Sequence, residues 1–143
     1  MIKHTGTIAT LVAIALLPAC AIRQDAIPVQ LASGEPICVV NDPAVRAEVE
    51  PIILDALTKR GYVPRVVPTA VGRERCANEL EYTAKWSWDF TIYMSKAELA
   101  YYQNGVQTGR SVYDSKSAGG MNFNKWVNAE EKLREMVAEL FPA

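Results

Sequence analysis

The sequence predicts an α+β fold, a two-layer sandwich in which two helices cover one face of a mixed sheet of about five strands, in the order β-α-β-β-β-β-α. Three observations predict it. Along residues 80–90, Leu80, Tyr82, Ala84, Trp86, Trp88 and Phe90 alternate with Glu81, Thr83, Lys85, Ser87 and Asp89, the period-two signature of a strand buried on one side only. Two segments, 43–60 and 125–140, carry apolar residues at helical spacing. Short β-branched runs flank the first of these, and a strand–helix–strand unit places parallel strands in the sheet.

The first strand is read in Ile37-Cys38-Val39-Val40, which runs into Asn41-Asp42-Pro43, a helix-start signal with Pro at the first helical position. In the helix that follows, Val45, Val49, Ile52, Ile53, Ala56 and Leu57 form the core stripe, and Gly61 after Lys59-Arg60 stops it. Pro51 lies inside this pattern and removes a backbone donor, so either the helix kinks there, which is the expectation, or its regular part begins near it. Val63, Val66 and Val67 mark a second strand over residues 62–68.

The alternating strand comes next, and its apolar face is expected to send Trp86 and Trp88 under the helices. Residues 91–103 and 106–113 form a hairpin around Asn104-Gly105, the pair preferred in a type I′ turn. The alternation slips within its first arm, because Ile92 and Met94 share one parity while Ala97, Leu99 and Tyr101 share the other. A bulge near Ser95-Lys96 reconciles the two; without it, Tyr93, Leu99 and Tyr101 would stand together on the open face. Gly109 reads with Gly105 as hairpin punctuation. Residues 115–124 read as a loop, and the closing helix places Trp126, Ala129, Leu133, Met136, Val137 and Leu140 on one stripe.

The N-terminus has a different organisation. Lys3 and His4 precede an apolar run from Ile8 to Leu17, which is about half the length that a membrane span needs. Leu17-Pro18-Ala19-Cys20 closes the segment and resembles the lipobox of bacterial lipoproteins. That resemblance implies cleavage before Cys20 and acylation of its thiol and new amino group. Residues 1–19 are then a signal peptide, 20–35 a lipidated Cys with a tether broken by Pro28 and Gly34, and 36–143 a single α/β domain. Ala21 after the thiol, by resemblance to enterobacterial lipoproteins, implies sorting to the outer membrane with the domain facing the periplasm.

Cleavage leaves about 124 residues with 14 basic against 16 acidic side chains, a net charge of −2 that offers no footprint for nucleic acid. It also removes His4, the only histidine of the sequence. Without imidazole, neither a Ser-His-Asp nor a Cys-His arrangement can be built, so no enzyme is expected. No phosphate-cradling glycine loop is present, and neither a cofactor nor a metal is expected. Cys38 and Cys76 remain as an even pair in a compartment that permits disulfides, and a bond between them is expected.

From Ile37 to Leu140 the chain resembles a family of small uncharacterised proteobacterial lipoproteins. The resemblance is carried by Cys38-Val39-Val40-Asn41-Asp42-Pro43, by Cys76, by Tyr82-Thr83-Ala84-Lys85-Trp86-Ser87-Trp88-Asp89, by Tyr93-Met94 and by the closing helix. It implies a class and supplies no catalytic residues. The layout is also similar to periplasmic accessory lipoproteins of outer-membrane assembly and to the small N-terminal domain of the Tol-Pal translocation protein.

Two functions are therefore expected to compete. The first is a lipid-anchored, non-catalytic binding or assembly module with an envelope protein as partner. It would dock on the helix-free face through Glu81, Thr83, Lys85, Ser87 and Asp89, joined by Tyr93 or Tyr101 according to the bulge, and through the Asn104-Gly105 hairpin; edge pairing is the rival mode. The second is a carboxylate-dependent enzyme on envelope glycans, using Asp89 with Glu81 or Glu98.

Overall fold

A computed structural model describes residues 22–68, 76–116 and 123–142. They form the expected α+β architecture with six strands, β1 (Arg23–Ile27), β2 (Pro36–Val40), β3 (Val63–Val67), β4 (Asn78–Asp89), β5 (Thr91–Gln103) and β6 (Val106–Asp114), and two helices, α1 (Val49–Lys59) and α2 (Ala129–Leu140). The sheet order is β1-β6-β5-β4-β2-β3. Strand β2 is parallel to both β3 and β4, while β4, β5, β6 and β1 pair antiparallel.

The sixth strand corrects the tether expected over residues 20–35. Arg23–Ile27 has no apolar alternation, and four of its five residues are exposed. It is held by β6, which it pairs from Arg23↔Asp114 to Ile27↔Arg110, and by Gln24, whose side-chain amide donates to Glu135 at 2.8 Å and to Glu139 at 2.6 Å and accepts from Lys132 at 2.9 Å. Just beyond it, Val29 is buried and its N–H donates to the Leu140 carbonyl at 2.7 Å.

Helix α1 begins at Val49, so Pro51 falls in the first turn, where its missing N–H has no intrahelical partner to lose. The second alternative therefore holds in place of the expected kink: the regular helix begins near Pro51. Residues 42–48 form turns instead, with the Asp42 carboxylate accepting from the Ala44 N–H at 2.9 Å. Gly61, at φ 86°, ends the helix as expected. Helix α2 starts four residues later than the stripe suggested, because the Asn128 side chain caps it by accepting from the Glu131 N–H at 3.1 Å.

Both helices lie on one face and are tied to each other. Asp55 of α1 pairs with Arg134 of α2, and Arg60 donates to the carbonyls of Phe141, at 2.6 Å, and Ala138 at the end of α2. The core between helices and sheet is filled by Ile53 and Leu57 from α1, Leu133 and Met136 from α2, and Leu80 and Leu99 from the central strands, all essentially inaccessible. Gly109, expected as hairpin punctuation, sits in β6 below this layer, where an added Cβ would collide with Val29 and lie 3.0 Å from Leu140.

Candidate functional site

Strand pairing between β4 and β5 decides which side chains face the helices. Lys85 opposes Lys96 and Trp86 opposes Met94, so Ser95 is the extra residue of a bulge, at the expected place. Beyond it toward the β5–β6 turn, Tyr82 opposes Leu99 and Leu80 opposes Tyr101 on the helix side. Tyr101 is therefore fully buried, its hydroxyl donating to Asn78 and its ring edge-on to Phe141 with centroids 5.5 Å apart. This corrects its assignment to the docking face: the bulge reverses parity, and only Tyr93, opposite Ser87, stays on the helix-free side. The Asn104-Gly105 turn has the two positive φ values, 51° and 79°, that type I′ requires.

The helix-free face presents Thr83 and Lys85 exposed and Glu81 and Tyr93 partly buried. Next to them Glu98 accepts from Arg110 at 2.9 Å. Two shallow depressions meet at Glu81, one of 210 Å³ reaching Glu98, Ala100 and Gln107, the other of 230 Å³ reaching Asn41 and Asp42. Each is smaller than the ~300–1,000 Å³ of ordinary small-molecule sites. At the margin of the face, Cys38 on β2 and Cys76 before β4 form the expected disulfide, with Cα atoms 6.1 Å apart and the Arg65 guanidinium donating to both sulfurs.

Of the carboxylates in the glycan-cleaving alternative, Glu81 and Glu98 line one depression, while Asp89 stands apart from both. Asp89 pairs with Lys125 at the far end of β4. Eight residues separate it from Glu81, roughly 27 Å of strand, and Glu98 stands opposite Thr83, about 20 Å from Asp89. Paired glycosidase carboxyls lie within about 10 Å, so Asp89 works with neither glutamate.

The tryptophan expectation also divides. Trp86 is partly buried beside the core, with the Arg46 guanidinium 4.4 Å above its ring. Trp88 has the helix-side parity, yet it is 74% exposed, because the β4–β5 hairpin runs past the end of the helical layer. Phe90 at the apex is 86% exposed and Ile92 is 59% exposed. Alternation signalled the correct face for Trp88; the extent of helix cover over that face is a tertiary property. Cys20 lies outside the described residues, and among those residues no helix is long and apolar enough to cross a membrane.

No protein-family model matches the chain, and no curated protein matches it. Among solved structures, the chain is similar to a variant PelC dodecamer from Paraburkholderia phytofirmans, at 16% identity and a TM-score of 0.53, over 84% of this chain and 94% of that one. A second PelC dodecamer from the same organism aligns at 12% identity and a TM-score of 0.50, over 84% and 95%. At these identities the likeness establishes a shared fold.

Proposed function

We propose that this protein is a lipid-anchored module of the cell envelope, held in the outer membrane through Cys20, that acts by binding a protein partner and has no catalysis of its own. The observation that carries the binding role is the helix-free face of the sheet. It is broad and shallow, mixed in charge around Glu81, Thr83 and Lys85, and its two depressions are too small to enclose a ligand, so it suits contact with another macromolecular surface. The likeness to a protein that forms dodecamers adds a second copy of the chain as a candidate partner, with β1 and β3 as the exposed edges of the sheet.

A photo-crosslinker at Thr83, compared with one at exposed Ser33, whose hydroxyl donates to the Gly61 carbonyl just after α1, tests this in intact cells. A defined adduct from Thr83 alone is the expected result, and Lys85→Glu should diminish it. Equal, diffuse labelling from both positions would overturn the face as a docking site. Mass spectrometry of the membrane fraction tests the anchor: a diacylglyceryl adduct on Cys20 is expected, lost with release of the protein in Cys20→Ser.

A further inference from the structure

The tip of the β4–β5 hairpin has features that the folded domain does not require. Trp88, Phe90 and Ile92 place three large apolar side chains in water. Phe90 does so at φ 58°, in the left-handed region that is costly for a bulky residue, with no packing in return. The tip is nevertheless braced. Asp89 pairs with the buried ammonium of Lys125, which lies 5.8 Å from the centre of the Tyr93 ring, and Arg46 stacks on Trp86 just below.

Sheet register shows which way this tip points relative to the N-terminus. Arg23, the first residue of β1, opposes Asp114; Asp114 opposes Lys96; and Lys96 opposes Lys85. These four residues form one row across the sheet. Since β1 runs away from that row and β4 runs toward the tip from it, the chain preceding Arg23 meets the sheet at the end where the tip projects. Three residues separate Arg23 from Cys20, at most about 10 Å of chain, while the tip stands about 14 Å beyond Lys85. The row itself holds Arg23, Lys96 and Lys85 against the single carboxylate of Asp114. Lysines directly opposite one another destabilise a sheet in isolation, and they suit phosphate headgroups.

We propose that the β4–β5 tip is a membrane-insertion element. Trp88, Phe90 and Ile92 enter the interfacial zone of the phospholipid bilayer, where an indole ring and apolar side chains are both favoured, and the row of Lys85, Lys96 and Arg23 meets the headgroups above it. The inference rests on the lipid-anchor reading for its orientation. The tip would be the second attachment that a lipid-tethered domain needs to keep one fixed orientation toward the membrane.

The test uses the full chain purified from membranes and reconstituted in phosphatidylethanolamine–phosphatidylglycerol vesicles. Cysteine is introduced as Phe90→Cys or, at the opposite end of the sheet, as Asn104→Cys, and carries an environment-sensitive fluorophore. A blue-shifted label at 90 that is quenched by lipid-borne nitroxide, with the label at 104 unaffected, is expected. Trp88→Ser with Ile92→Ser should lower quenching of the label at 90 roughly tenfold. Lys85→Glu with Lys96→Glu should make the quenching salt-independent and weaker. A label at 90 that remains fully solvated overturns the proposal, and one that is blue-shifted without quenching overturns it in favour of burial between copies of the chain. The mass of the Cys20 peptide is read on the same samples. A lipidated chain with a solvated tip defeats this inference and leaves the anchor standing; an unlipidated chain whose tip is quenched defeats the anchor and leaves insertion standing.

Discussion

The Tyr101 hydroxyl on β5 donates a 2.7 Å hydrogen bond to the side-chain oxygen of Asn78 on β4, and both groups are out of water. Asn78 in turn donates through its amide nitrogen to the Pro36 carbonyl on β2, so one polar chain links three strands at the turn end of the sheet. Tyr101→Phe removes the donor while keeping the ring, leaving a buried acceptor unsatisfied. It should cost about 1–3 kcal/mol in denaturant unfolding with an unchanged slope. An unaltered midpoint would show that the bond contributes nothing net.

The same phenol gives the fold an alkaline limit. Burial pushes Tyr101 up to about 12, and burial, opposed by the Asp42 N–H and reinforced by Glu50, does the same to Tyr82. The folded state therefore holds these protons more tightly than the unfolded chain, whose phenols titrate near 10. The stability they confer is complete below pH 10 and falls as pH rises toward 12. Tyrosinate absorbance and far-UV circular dichroism, followed together, should show ionisation of these two rings coinciding with unfolding, and Tyr101→Phe should make the alkaline slope shallower.

Gly109 is fixed by space. Its Cα faces Val29 and Leu140, so Gly109→Ala forces a methyl into a closed contact between β6, the segment after β1 and α2. A loss of about 1–3 kcal/mol is expected. Combining it with Val29→Ala, which empties the site of collision, should recover part of that loss in thermal unfolding.

The Cys38–Cys76 disulfide closes a separation of 38 residues. In the chain-entropy account this removes about 4 kcal/mol from the denatured ensemble, a large share of what a domain of this size possesses. Cys38→Ser with Cys76→Ser should lower the unfolding midpoint markedly, whereas reductant should leave that double variant unaffected. Equal sensitivity to reductant in both proteins would place the effect elsewhere.

Much of this architecture is legible in residue order because it is set by local periodicity. The alternation of Leu80 through Phe90 and the stripe of Leu133, Met136, Val137 and Leu140 each report a face that must be buried, whatever buries it. The bulge at Ser95 could be read for the same reason: Met94 and Ala97 are both apolar, and only an extra residue lets both face the core. The disulfide was legible from Cys38 and Cys76 as an even pair in a chain whose N-terminus reads as an export signal.

Three features were decided only by tertiary structure. Strand β1 has no apolar pattern, because an edge strand needs a partner's backbone and the bonds of Gln24 to α2 rather than a buried face. Separation of Asp89 from Glu81 and Glu98 follows from strand length, which turns neighbours on one face into residues tens of ångströms apart. Finally, Tyr101 and Trp88 exchanged places. Both have the parity of the covered face, but helices of 11 and 12 residues span only part of strands as long as 13. Tyr101 lies beneath them and Trp88 lies beyond, since periodicity sets the direction of a side chain and packing sets whether anything is there to meet it.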